Sequence, residues 1–356
     1  MTSGTEPTAG DESSTVAETE PPATRQPDES VPIFQRFMEL IGPFWTLGVL
    51  ILLVVAFGIA APSLYTKDAW LSTSTYAVEY LLLAIGETFV IITAGIDLSV
   101  GATLGFSAML GSQLMQHMLG AHDSSAVVAI LGVAVMLASG VAIGVLNGML
   151  ITRIKLPPFI VTLGTLTAIG GATDLLNNAT EITTLPAFVT NLGTDSILNG
   201  WLPLPVLISL VIALVFGLIL ARTRFGLRTY AIGSNEIATR RAGVRVDRHL
   251  VYVYAIAGLL GAVAGLMVTA NFSAASPLAG QNDELYAIAA VVIGGASIFG
   301  GRGTIFGTVI GTAILSILTT GLVLINLQTF WQQVAIGAVV IIAVAVDRVR
   351  TRVGTD

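Results

Sequence analysis

Ala126–Met149 reads AVVAILGVAVMLASGVAIGVLNGM and holds no charged residue. As a helix it is about 36 Å long at ~1.5 Å per residue. A bilayer core about 30 Å thick needs roughly 20 apolar residues to cross. A helix apolar all round belongs in a membrane or a large core, not on a solvated surface. Nine further apolar stretches flank it, at roughly 44–62, 76–94, 99–117, 157–175, 203–221, 250–270, 284–298, 304–323 and 331–346. The stretch 284–298 is short and ends in a glycine cluster. Composition agrees: charged residues make up 11% of the 356, against about 25% in soluble domains. Mean hydropathy is +0.85. The 38 glycines suit closely packed membrane helices. The expected fold is an all-α integral membrane protein with about ten transmembrane helices.

Charge placement orients these spans. Basic residues collect in cytoplasmic loops. With the N-terminus inside, alternation puts Arg153, Lys155, Arg222, Arg224, Arg228, Arg240, Arg241, Arg245, Arg248, Arg302, Arg348, Arg350 and Arg352 on the cytoplasmic side. Arg25 and Arg36 join them, so all 16 basic residues but Lys67 lie inside, and both termini are expected to be cytoplasmic. Residues 1–35 are rich in Thr, Ser, Pro, Glu and Asp and have too little apolar surface to offset ordering entropy, so a disordered tail is expected. A membrane domain is expected over 36–347, followed by a short cytoplasmic tail, 348–356. The largest outer loop, about 177–202, carries Trp201 as an interfacial anchor and reads equally as a docking surface or a solvated connection.

Several functions are excluded. The chain has no cysteine, and His117, His122 and His249 are dispersed, so no metal site and no catalytic set is expected. No G-x-x-x-x-G-K-[ST] phosphate loop is present, and the glycine-rich Gly294–Gly303 contains no Lys. No catalytic residue or cofactor is therefore assigned, and nothing points to nucleic acid.

The inner loop 222–249 reads RTRFGLRTYAIGSNEIATRRAGVRVDRH. Ser234 is an N-cap candidate, Glu236 suits a first turn, and Arg240 and Arg241 suit a last turn. Gly243 suits a left-handed helix end. These signals predict a helix over Asn235–Ala242, about 12 Å long. A helix so short is marginal alone and needs a surface to pack on.

Gly226–Asp247 resembles the cytoplasmic coupling loop of ribose/xylose-type ABC-transporter permeases. Gly95–Gly101 (GIDLSVG), Asn147–Thr165 (NGMLITRIKLPPFIVTLGT) and Glu284–Gly303 (ELYAIAAVVIGGASIFGGRG) resemble further motifs of that family, in its order. The resemblance implies a type II ABC-importer-like permease in a bacterial plasma membrane, with two copies forming the core. An ATPase subunit beneath would hold ATP and magnesium. An extracytoplasmic sugar-binding protein would deliver a monosaccharide or related small polar solute. Gly233, Asn235, Glu236, Arg240, Arg241 and Gly243, with the cap Ser234, would then couple to the ATPase.

Ionisable groups inside spans are functional candidates. Glu87 sits deep in the second span, and Asp97 at its inner end, where with Ser99 it can cap the third. Asn147, Thr162, Thr165 and Asn271 either line a translocation path or bridge helices. Gly101 and Gly105, and Gly303, Gly307 and Gly311, recur at four-residue spacing, which lets backbones approach closely. Val90–Gly101 aligns with Val292–Gly303 at a few positions, a match short enough for chance. Pro157 and Pro158 open the fifth span, where proline is tolerated. The alternative function is an ion-coupled secondary transporter, which usually carries ionisable groups or broken helices at the midplane. Glu87 is a lone candidate for that role, and the capped inner helix would then have none.

Overall fold

The computed structural model describes residues 45–119 and 125–353. The expected tail 1–35 and His122 lie outside them. Among the described residues the regular structure is helical but for one two-stranded hairpin and an isolated bridge. In order come α1 (Trp45–Ala60), α2 (Lys67–Ile92), α3 (Val100–Leu119), α4 (Ser125–Arg153) and α5 (Pro158–Leu175). Then follow α6 (Ala187–Thr194), the hairpin β1 (Ser196–Ile197) and β2 (Leu202–Pro203), and α7 (Leu204–Arg222). A short pair, α8 (Arg224–Ser234) and α9 (Glu236–Arg241), leads into α10 (Val246–Phe272). The chain closes with α11 (Asp283–Ile293), α12 (Ile305–Leu324) and α13 (Thr329–Val353).

Among the described residues, 6 helices are long and apolar enough to cross a membrane: α2, α4, α5, α7, α10 and α12. α1 is apolar but shorter. α3 is diluted by Ser107, Ser112, Gln113 and Gln116. α11 has 11 residues, about 16 Å, roughly half a bilayer core. The protein is a multi-pass helical membrane protein.

Helix ends depart from hydropathy where polar residues are satisfied locally. α2 begins at Lys67, not 76, because its polar opening still pays its hydrogen bonds. Thr66 caps it, accepting from Ala69 N at 3.4 Å. The Thr73 hydroxyl donates to Ala69 O at 2.7 Å and meets that of Thr320 on α12 at 3.0 Å. At the other end of the chain α13 runs through to Val353, past the boundary expected at 347.

α2, α12 and α10 are the most deeply buried of the 6 spanning helices. α10 packs along α4, α2 and α3, and α2 also meets α7, α11 and α12. Glycine governs the α4–α10 seam. A Cβ on Gly140, Gly144 or Gly148 would strike the α10 backbone at Gly258, Tyr254 or Val251. This four-residue stripe on α4 emerges from the packing. Gly101 and Gly105 on α3 instead lie against the carbonyls of Gly280 and Ala279. Gly307 and Gly311 on α12 lie against Gly294 and Ala290 at the end of α11. Gly303 precedes α12 and is not part of that stripe, a correction to the expected face.

α2 and α11 end alike. Thr93, Ala94 and Gly95 donate to Phe89, Ile91 and Val90, and Gly294, Gly295 and Ala296 donate to Ala290, Val292 and Val291. Ala94 and Gly295 both take positive φ, 60° and 92°. The shared pattern sits one residue out of register with the sequence match noted above, so local capping produces it.

The outer-loop segment is structured. Trp70 Nε1 donates to Trp201 O at 2.7 Å and Lys67 Nζ to Asn199 O at 3.2 Å. α6 buries Val189 and packs on α10, where Gly193 meets Ala270. A single bridge joins Ile182 to Ala275.

Candidate functional site

At the Arg-rich end, opposite Trp70 and Trp201, α8 and α9 form a compact pair. Thr223 caps α8 by accepting from Gly226 N at 3.3 Å. Asn235 caps α9, its Oδ1 accepting from Ala238 N at 2.9 Å. The expected cap, Ser234, is instead the last residue of α8, and Asn235 takes the cap. The expected eight-residue helix is therefore the 6-residue α9. Asn235 is extended (φ −161°) between the two helices, which lets its side chain reach forward. Gly243, at φ +83°, ends the turn after α9.

Side chains lock the pair. Thr239 Oγ1 hydrogen-bonds the carbonyls of Ala231 and Asn235, both at 2.8 Å. Arg240 reaches Glu236 Oε1 and Asp247 Oδ1, both at 2.8 Å, joining α9 to the start of α10. The Asp247 hydrogen bond, then that of Glu236, hold the guanidinium above its ordinary pKa. These groups are half exposed, so each pair contributes about 0.2–1 kcal/mol. Their geometric effect is to set the angle between α9 and α10.

The pair is seated on the bundle. Gly301 N donates to Ile92 O at 2.9 Å, and a Cβ on Gly233 would collide with that same carbonyl. Tyr230 Oη donates to Gly303 O at 2.7 Å. Thr229 Oγ1 meets His249 Nε2 at 2.9 Å, with Phe225 against the imidazole at 4.3 Å. The pair thus bears on the end of α2, on the glycine-rich segment 294–303 and on the foot of α10. Its outer face is exposed from Ser234 to Ala238, and Ile237 stands 68% exposed. In the sequence Ile237 is masked by its charged neighbours Glu236, Arg240 and Arg241.

A second constellation is internal. Glu87 Oε1 accepts from Asp97 N at 3.1 Å. Asp97 Oδ1 accepts from Ser99 N at 2.9 Å and Ser99 Oγ at 2.6 Å, just ahead of α3. Asn147 Nδ2 donates to Ser99 Oγ at 2.8 Å, and Thr165 Oγ1 donates to Asn147 Oδ1 at 2.6 Å. Thr162 Oγ1 donates to Ile96 O at 3.2 Å. One chain of hydrogen bonds therefore ties α2, α3, α4 and α5. Glu87 and Asn147 are 0% exposed and Asp97 1%. Asn271 stands apart, lining a cleft at the Trp201 end. Among the described residues, no three His, Asp or Glu side chains group to hold a metal.

The family profile described as "Branched-chain amino acid transport system / permease component" matches residues 69–344. The ribose import permease protein of Bacillus subtilis (strain 168) is 40% identical over 318 residues, covering 88% of this chain and 94% of that protein. The D-allose transport system permease protein of Escherichia coli (strain K12) is 37% identical over 316 residues, covering 88% and 93%. The fructose import permease protein of Rhizobium meliloti is 35% identical over 322 residues, covering 88% and 87%. No solved structure gives a significant match. The chain belongs to the permease-component family of the branched-chain amino acid transport system type.

Proposed function

We propose that this chain is the permease of a bacterial ABC importer, passing a monosaccharide from an extracytoplasmic binding protein to the cytoplasm. The observation that carries the reading is the seated α8–α9 pair. It presents Glu236, Ile237 and Ala238 outward while bearing on three elements of the bundle. A partner closing on that face delivers force to α2, α10 and the segment before α12 together. The partner is an ATPase subunit holding ATP and magnesium. Gly233, Ser234, Asn235, Glu236, Arg240, Arg241 and Gly243 form the coupling element, with Ile237 its central apolar contact. The ribose, allose and fructose relatives support a monosaccharide.

Ten crossings complete the reading: α1–α5, α7 and α10–α13, with both termini cytoplasmic over a membrane domain of about 36–347. Charge supports this orientation. Lys67 lies with Trp70 and Trp201 at one end, and the Arg-rich α8–α9 pair at the other. Two copies form the core. The backbone between α10 and α11 is non-helical and leaves Gln281 and Asn282 exposed. Irregular backbone at membrane depth needs cover from protein or water.

The test is uptake of labelled D-ribose, D-allose and D-fructose by proteoliposomes holding permease, ATPase and binding protein. ATP-dependent uptake of at least one sugar is expected. Uptake driven by an ion gradient without the ATPase would establish the secondary transporter instead.

A further inference from the structure

Residues 297–302 read SIFGGR and close into a tight turn between α11 and α12. Ser297 O accepts from Gly300 N at 3.0 Å, so Ile298 and Phe299 are the central residues of a β-turn. Ser297 Oγ accepts from Phe299 N at 3.3 Å, and Ser297 N donates to Arg302 O at 3.0 Å. Gly300 and Gly301 take φ of 87° and 74°, a region that favours glycine. Both glycines are also wedged. A Cβ on Gly300 would lie 2.9 Å from Ala94 Cβ and from Gly233 O, and one on Gly301 would lie 2.6 Å from Ser234 Oγ.

The turn is therefore part of the seat on which α8–α9 rests. Gly301 N holds Ile92 O at the end of α2, and Tyr230 Oη of α8 holds Gly303 O. Just beyond, Thr304 caps α12 by accepting from Gly307 N at 3.0 Å. Contacts to α2, α8 and α12 leave this loop little freedom.

Phe299 projects from the turn at 55% exposure. A single exposed apolar side chain is ordinary on a protein surface. This one stands on a rigid support at the Arg-rich end, and the glycines beside it touch Gly233 and Ser234. Ser234 opens the exposed run that continues through Ile237 to Ala238, so the turn extends the α9 face without a break. An aromatic side chain on a preformed support loses little freedom when covered, which suits it to anchor a partner.

We propose that Phe299 is a second contact for the ATPase subunit, entering an apolar pocket on the same partner that covers Ile237. The inference rests on the coupling reading of α8–α9, because continuity with that face selects the partner. Its mechanical consequence is separate. One contact on α9 would leave the partner free to pivot about it, whereas a second on the turn fixes the orientation. Load on Phe299 passes through the turn's own backbone to Ile92 of α2 and to the cap of α12, without travelling through α9.

The test distinguishes this contact from the coupling reading beneath it. Benzoylphenylalanine replaces Phe299 or, separately, Ile237 in the permease, and the complex with the ATPase subunit is irradiated in lipid nanodiscs. Crosslinks to the ATPase are expected from both positions. ATPase crosslinks from 237 with lipid adducts alone from 299 overturn this inference and leave the coupling reading standing. ATPase crosslinks from neither position overturn both. In titrations of the ATPase, Phe299→Ala should raise Kd about tenfold, as for a truncated aromatic anchor. Phe299→Leu keeps most of the apolar volume and should recover most of that loss. Thermal unfolding of each variant permease alone checks the fold. A Kd for Phe299→Ala within twofold of wild type overturns the proposal, and if that variant fails to fold, the crosslinks decide.

Discussion

Ile237→Ala tests the coupling face most directly, because the side chain supports nothing inside the permease. It projects from α9 at 68% exposure. The substitution removes three carbons, each worth about 0.8 kcal/mol when taken from water. About two-thirds of that surface is open to a partner, so full cover by an ATPase groove withdraws about 1.6 kcal/mol. This is a factor of about 15 in Kd at each site. The fold is largely spared, since alanine is the better helix former and only about a third of the residue is covered. The assay is titration of nucleotide-free ATPase subunit onto permease held in lipid nanodiscs, with thermal unfolding of the permease alone as control. A Kd within twofold of wild type would refute the reasoning, since the face would then not be covered. Leu227 on α8, 70% exposed, provides the comparison. If the groove holds only α9, Leu227→Ala leaves Kd unchanged.

Thr165→Val keeps the shape but removes the donor to Asn147 Oδ1 inside the four-helix network. The permease in detergent should lose about 0.6–1.7 kcal/mol, read as a lower Tm, and an unchanged Tm would count against the network. Gly144→Leu drives a side chain into the Tyr254 carbonyl, so no monodisperse protein is expected by size-exclusion of detergent extracts. Recovery at wild-type yield would mean that the α4–α10 seam yields easily. Glu236→Lys with Arg240→Glu restores one pair but opposes the new carboxylate to Asp247. The permease should insert normally yet lose uptake, and normal uptake rejects the coupling role.

What the sequence determined by itself is whatever depends on summed transfer energy and local chemistry. Long uncharged stretches such as Ala126–Met149 demand a bilayer, and the clustered arginines orient it. Cap and charge signals over 234–243 predicted one short helix capped by Ser234. The extended backbone at Asn235 moved the cap to that residue, and the helix ahead of it came only from the fold. The tertiary structure alone decided how distant segments meet. In the sequence Glu87, Asp97, Asn147, Thr162 and Thr165 are candidates for lining a path, with bridging or capping the plainer reading for all but Glu87. In the fold their hydrogen bonds join α2, α4 and α5 to the segment 96–99. Tyr80 and Tyr286 lie some two hundred residues apart in the sequence, yet their rings stack at 4.8 Å. Their meeting requires α2 to pack against a half-length helix, and no periodicity along one chain encodes that contact.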